Sequence, residues 1–259
     1  MCRGQPAPSL RDMSDMNNAR RPVALVTGAS RGLGRALALG LADDGYAVVV
    51  SARDGAALEE TVSGLAQRTL VAAVRGDITD PEHRAALRRA ADGLGGLDLL
   101  VNNAGTLGAS PLPALADYPI DELRASFDVN VLAPVALTQL LLPTLRERGG
   151  AVLNITSDAA VEAYAGWGGY GAAKAALEQA SNVLAAEENA VRVWWVDPGD
   201  LRTRMHQQAF PGEDISDRPL PETVVPALRR LIAERLPSGR YRAADLVAGG
   251  TASFSSRSA

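Results

Sequence analysis

The chain of 259 residues predicts an α/β fold: a doubly wound, mostly parallel, Rossmann-type sheet of about seven strands with helices on both faces. Short apolar runs alternate with helical patterns of roughly 10 to 20 residues, the signature of βαβ units and a parallel sheet. The first apolar run ends in a glycine-rich turn that leads straight into a helix. No linker-like composition interrupts residues 21–250, so one domain is expected there. Residues 1–20, with Arg3, Gly4, Pro6 and Pro8 and no periodicity, read as a disordered leader, and 251–259 as a flexible tail.

The elements follow in order. Val23 to Thr27 is a short apolar strand of the kind buried on both faces. Gly32 to Asp44 carries Leu33, Ala36, Leu37 and Leu41 at helical spacing, and Gly45 closes it. Ala47 to Ser51, Leu70 to Val74 and Leu97 to Val101 read as the next strands, separated by helices over Gly55 to Gln67 and Pro81 to Gly93, the latter with proline in its first turn. Ile120 to Arg148 is a long helical region interrupted by Pro134 and Pro143. Ala151 to Ile155 is a strand, Trp167 to Glu188 a helix and Val191 to Val196 a sixth strand. Beyond these, 203–221 reads as a substrate loop or lid, Glu222 to Leu236 as a helix and Arg240 to Leu246 as a last strand.

Composition narrows the functional classes. The hydrophobic share of 47% with 22% charged residues is ordinary for a globular protein with a full core. A formal net charge of -4, with Lys and Arg dispersed, offers no basic stripe for a nucleic-acid backbone. The single cysteine, Cys2, builds neither a disulfide framework nor a metal site, which fits a reducing cytoplasm. His83 and His206 lack metal-ligand spacing, so no metal is expected. No apolar run approaches the ~20 residues of a membrane span and no signal segment opens the chain, so a soluble cytoplasmic protein without membrane or nucleic-acid partners is the expectation.

The chemistry is sought at the carboxyl ends of the strands, where doubly wound sheets bind ligands. After the first strand stands Thr27-Gly28-Ala29-Ser30-Arg31-Gly32-Leu33-Gly34, glycines spaced G-x-x-x-G-x-G at a strand-to-helix turn, where backbone can approach a pyrophosphate. The second strand ends Ser51-Ala52-Arg53, with alanine where an NAD-binding unit places a ribose-holding acid. Arg53 and Arg31 together can grip a 2'-phosphate with forked hydrogen bonds, which favours NADP(H) over NAD(H), although Asp54 could pair with Arg53 and blunt the effect. Tyr170 and Lys174 are four apart on one helix face, and an ammonium beside a phenol draws the phenol's pKa down toward working pH.

These motifs resemble the short-chain dehydrogenase/reductase family, whose single-domain members carry T-G-x-x-x-G-x-G. Asn102-Asn103-Ala104-Gly105 is similar to the family's N-N-A-G, which steadies the central sheet beside the cofactor and makes Asn103, Ala104 and Gly105 cofactor-side residues. Asn130 matches the family's active-site asparagine, and Ser157, thirteen residues before Tyr170, its catalytic serine. Pro198-Gly199-Asp200-Leu201-Arg202-Thr203 looks like the family's P-G loop, where the Leu201 backbone and Thr203 hydroxyl hold the nicotinamide carboxamide. Asp77 matches a position at the adenine edge and reads equally well as a turn cap. The resemblance covers about Val23 to Thr203; one departure is Ala173, where many members carry serine.

The resemblance implies an NADP(H)-dependent oxidoreductase that reduces a ketone or 3-oxo group, with Tyr170 donating the proton and Ser157 a hydrogen bond. It gives Lys174 the tasks of lowering the phenol's pKa and binding the nicotinamide ribose, and Asn130 that of holding a water. The competing reading is a non-catalytic NADP(H)-sensing or scaffold protein of the same fold. Ala159, Ala160, Tyr164, Trp167, Met205, His206 and Phe210 suggest an apolar, aromatic-walled pocket for a small-molecule substrate, while Trp194 and Trp195 read as core or interface packing. A homodimer or homotetramer built through the long helix and the Tyr170 helix is implied as well.

Overall fold

The computed structural model describes residues 20–247. The expected leader and tail lie outside the described residues, except Arg20, whose guanidinium donates to the Gly95 carbonyl at 3.2 Å and to Asp98 Oδ1 at 2.5 Å. Seven strands form one sheet: β1 (Val23–Thr27), β2 (Ala47–Ala52), β3 (Val71–Arg75), β4 (Leu99–Asn102), β5 (Ala151–Ile155), β6 (Arg192–Asp197) and β7 (Gly239–Arg242). Their order is β3-β2-β1-β4-β5-β6-β7, and every pairing is parallel.

Strand residues alternate between two cores, as a pleat with apolar side chains on both faces demands. Ala24 and Val26 join the helices α1 (Gly32–Asp43), α2 (Gly55–Ala66) and α8 (Val225–Ala233) on one face. Val23 and Leu25 face α3 (Pro81–Gly93), α5 (Ala133–Arg148) and α6 (Gly168–Glu187) on the other. Asp54 caps α2 through the Ala57 amide, and Asp80 caps α3 ahead of Pro81.

Three expectations change. The region Ile120–Arg148 is not interrupted at its prolines: α4 (Ile120–Phe127) runs through a π-helical turn (Asp128–Leu132) into α5. Pro134 directly follows the π-helical turn, and burial of Leu137, Leu141 and Leu145 offsets the hydrogen bonds that Pro134 and Pro143 cannot donate. The joined helix of 29 residues holds a window apolar enough, by length and composition, to cross a membrane, contrary to the expected lack of such a run. That window is 44% buried, with Leu137, Leu141 and Leu145 in the core. Finally, β7 stops at Arg242 and the chain turns into the short helix α9 (Ala243–Val247), because Ala243 and Leu246, three apart, bury against α8.

Candidate active site

Between β1 and β4 the strand order reverses, so the loops after these two strands diverge and leave a crevice at their carboxyl ends. The loop after β1 is drawn tight. Gly28 has φ 66°, and a side chain there would meet the Ala104 backbone at 2.9 Å. The Thr27 hydroxyl accepts from the amides of Asn103 and Ala104, both at 3.0 Å, and Asn103 Nδ2 donates to the carbonyls of Thr27 at 2.9 Å and Gly28 at 3.1 Å. The N-N-A-G segment thus stitches the end of β4 to that of β1. Asn102 extends the stitch through Asn154 at 2.8 Å, whose own amide reaches Ser181 on α6.

A cleft of about 980 Å³ runs from this turn across the sheet edge. It is lined by Gly28, Ser30, Arg31, Gly32, Leu33, Arg53, Asp77, Asn103, Ala104, Gly105, Ser157, Tyr170, Lys174, Pro198, Gly199, Leu201 and Thr203. Two expected site residues are absent from its wall. Gly34 lies behind the turn, where a Cβ would sit 2.3 Å from Asn103 Nδ2 and 2.5 Å from the Gly28 carbonyl; it permits close contact of helix and strand. Asn130, fully buried in the π-helical turn, donates from Nδ2 to the Thr106 carbonyl at 2.8 Å and to Ser126 Oγ at 3.1 Å, and accepts from the Thr106 amide at 3.0 Å. With both amide hydrogens committed, its side chain braces the loop after Gly105.

At the other end of the cleft, Ser157 lies beyond β5, and Tyr170 and Lys174 lie on α6. Lys174 is buried, its Nζ donating to the Ile155 carbonyl at 2.9 Å and lying 5.6 Å from the Tyr170 ring centroid. Burial works against the pKa logic of the spacing here. Burial pushes the Tyr170 phenol well up, the neighbouring Ser157 hydroxyl draws it down, and Asp158 and Asp197 raise it further. Burial pushes Lys174 down to about 8. A cation facing the ring is held by the π cloud, and desolvation of the phenol outweighs the pairing that the four-residue spacing suggests.

Because Lys174 titrates near 10.5 when exposed, the unfolded chain binds one more proton than the folded chain between about pH 8 and 10.5. Stability contributed by this group therefore rises with pH across that window. Urea unfolding of wild type and Lys174→Met should diverge in favour of wild type as pH goes from 7 to 10, by at most about 3 kcal/mol. A constant difference would mean that the lysine is not buried as a cation.

The arginines at the other end of the cleft are paired differently from expectation. Asp54 pairs with Arg31, not with Arg53, because its other oxygen is fixed by capping α2. Its carboxyl is held below the usual range by the Ala57 amide and by Arg31. Arg53, 70% exposed, lies 3.6 Å from Asp77. Asp77 does serve as a turn cap, accepting from the Thr79 amide at 2.9 Å and hydroxyl at 2.8 Å. Thr203 accepts from the His206 amide at 3.2 Å and so starts the short helix α7 (Arg204–Ala209), with its methyl packed over Gly32. The segment 210–220 folds back on the P-G loop through the Arg202 amide, which donates to the Pro219 carbonyl at 2.8 Å. Tyr164, Trp167, Met205, His206 and Phe210 line the cleft as anticipated, while Ala160 does not. Trp194 is core, donating to the Leu236 carbonyl at 2.9 Å, and Trp195 is buried too.

Three functional neighbours have no signal in the linear sequence. Glu178, one turn beyond Lys174, accepts from Thr156 Oγ1 at 2.8 Å and from Arg240 Nε at 3.0 Å. Arg240, from β7, also donates to the Ser157 carbonyl at 3.3 Å and lies 4.0 Å from the buried Asp197. This partly buried ion pair, with the Arg240 side chain 26% exposed, ties the end of β5 to α6 and β7. Asp158 accepts from Ser157 Oγ at 2.8 Å, the Ala159 amide at 2.7 Å and Tyr164 Oη at 3.0 Å. The partners of all three come from distant elements or depend on a tight turn.

Two features test whether a dinucleotide fits the cleft. The glycine turn offers backbone without side chains at the mouth of α1, and Lys174 has three donors but a single acceptor among the described residues, which leaves two for ribose hydroxyls. A glycine cradle at one end and a buried tyrosine–lysine pair at the other define a dinucleotide-binding α/β oxidoreductase. Residues 22–214 match the short chain dehydrogenase family, and the chain belongs to that family of oxidoreductases. It is 37% identical over 199 residues to a rhamnolipid-biosynthesis 3-oxoacyl-[acyl-carrier-protein] reductase of Pseudomonas aeruginosa, covering 71% of this chain and 74% of the relative. It is also 37% identical over 183 residues to a serine 3-dehydrogenase of Rhizobium radiobacter, covering 69% and 72%. An alcohol dehydrogenase from Thermococcus sibiricus, solved with 5-hydroxy-NADP, superposes with a TM-score of 0.78 at 28% identity, covering 86% of this chain and 95% of that one.

Proposed function

We propose that this oxidoreductase uses NADP(H) in preference to NAD(H) and reduces a ketone or 3-oxo group to an alcohol. The observation that carries the reading is the single cleft with Arg31 and Arg53 at one end and Ser157, Tyr170 and Lys174 at the other. The bound dinucleotide supplies hydride chemistry; the rest falls to side chains. A carbonyl oxygen seated between Ser157 Oγ and Tyr170 Oη becomes an oxyanion as its carbon is reduced. Ser157 donates a hydrogen bond to it and Tyr170 gives it a proton. A phenol held strongly protonated suits a proton donor, and the Lys174 ammonium beside it stabilises the phenolate left behind. Backbone amides of the glycine turn and the start of α1 receive the pyrophosphate, and Leu201 and Thr203 orient the carboxamide.

NADP(H) is supported by two arginines at the end of β2 and in the glycine turn with no acid at Ala52. The carboxylates paired with both arginines are exposed, and such pairs are worth only about 0–1 kcal/mol, so a doubly charged phosphate competes with them readily. The reading is tested by NADPH consumption across a panel of ketones and 3-oxo esters. No turnover with any of them, alongside tight NADPH binding, would favour a sensing or scaffold role. We further assign a homodimer or homotetramer built through α4 to α6, supported by exposed apolar Ile120, Leu132 and Val183 on those helices. Sedimentation showing only monomer at micromolar concentration would remove that assignment.

A further inference from the structure

We propose that Asp158 determines substrate specificity, and that the substrate carries a cationic amino group on the carbon α or β to the reacting carbonyl. This rests on the oxidoreductase reading above. Asp158 lines the cleft immediately after Ser157 and forms no salt bridge among the described residues. Neighbouring cations are engaged elsewhere: Arg240 with Glu178 and Asp197, Arg242 with Asp197, and Lys174 with the Ile155 carbonyl. Arg204 acts on Asp54 at the dinucleotide end and Arg202 on Asp214 outside. The other charges near Asp158 are negative, Asp197 behind it and Glu162 and Asp200 toward Tyr164.

Left alone, this carboxylate works against the reaction. It takes the Ser157 hydrogen that the substrate oxyanion needs, and its charge opposes the phenolate that Tyr170 must become. A substrate ammonium on Asp158 cancels the charge and lets the Ser157 hydroxyl turn to the oxyanion. The carboxylate has room: three of about four acceptor positions are in use. Geometry sets the separation. The open position is on Oδ2, because Oδ1 already accepts from Ser157 Oγ at 2.8 Å and from the Ala159 amide at 2.7 Å; a nitrogen hydrogen-bonded to Oδ2 and an oxygen hydrogen-bonded to Ser157 Oγ can lie about 3–6 Å apart, the reach of an α- or β-amino group. The same cleft is walled by Trp167 and Phe210, whose rings are 6.0 Å apart at 48°, and the Tyr164 hydroxyl is already on Asp158. Such rings attract an organic cation.

The test compares 4-aminobutan-2-one, 4-hydroxybutan-2-one and acetoacetate with NADPH, as cation, neutral and anion, in wild type and Asp158→Asn. Wild type should favour the amine over the hydroxy ketone by about tenfold or more in kcat/KM, with the anion poorest. In Asp158→Asn that ratio should collapse toward one, the loss on the amine falling mainly in KM. An equal loss on all three ketones would overturn the proposal in favour of a positioning role for Asp158, and so would a wild-type preference for the neutral or anionic ketone. Calorimetry with 4-aminobutan-2-ol and NADP+ gives a readout independent of turnover. Equal binding by wild type and Asp158→Asn would overturn the proposal, whereas weaker binding by the variant supports it even if no ketone in the panel is reduced, an outcome that would count against the reductase reading alone.

Discussion

Tyr170→Phe is expected to lower kcat for carbonyl reduction by about 10²–10⁴-fold, the usual contribution of a positioned proton donor, while leaving the dissociation constant for NADPH nearly unchanged. The substitution removes one oxygen from a buried ring whose edge packs on Trp167, with centroids 5.8 Å apart. The ring stays, so packing stays. What disappears is the proton that must follow hydride onto the substrate, and the Ser157 hydroxyl has no proton to spare at neutral pH. Turnover by stopped-flow absorbance, with NADPH titrated separately by fluorescence, distinguishes the two effects. A variant retaining most of its kcat would remove Tyr170 from the chemistry. Weakened NADPH binding would instead indicate a misplaced Lys174, whose Nζ sits over the same ring.

Arg53→Asp should raise KM for NADPH by about 10- to 100-fold, the worth of a charge-assisted phosphate contact plus the repulsion that replaces it, and leave KM for NADH unchanged or lower. The 2'-phosphate carries the charge that separates the two cofactors, and Arg53 is exposed at the end of β2 where it can reach it. An aspartate there accepts the 2'-hydroxyl of NADH instead. Since Asp77 already lies near this position, Arg53→Ala is the control that separates loss of attraction from added repulsion. Equal changes for both cofactors would sink the NADP(H) assignment.

The alternating pattern was enough to anticipate the sheet, because a strand buried on both faces, such as Val23 to Thr27, must be apolar throughout and cannot be confused with an amphipathic helix. The boundaries at Gly28 and Pro81 were legible because each does a local job: a positive φ and a first helical turn. Pro134 and Pro143 misled for the complementary reason. Whether proline breaks a helix depends on what the helix packs against, and no neighbour in sequence reports that. Arg240 was unreadable too, being 62 residues from Glu178 and a full strand from Ser157.

By itself the sequence determined the kind of fold, the glycine turn and many of the residues that line the cleft, since these depend on short-range geometry and on spacing along single elements. The tertiary structure alone decided their electrostatics. Asp54 chose Arg31, Asn130 spent its amide on Thr106, and Tyr170 became harder to ionise despite Lys174 one turn away. Pairing and desolvation depend on which groups meet across elements and on how much water is left between them, and both are set only when the sheet has closed and the helices have buried its edge.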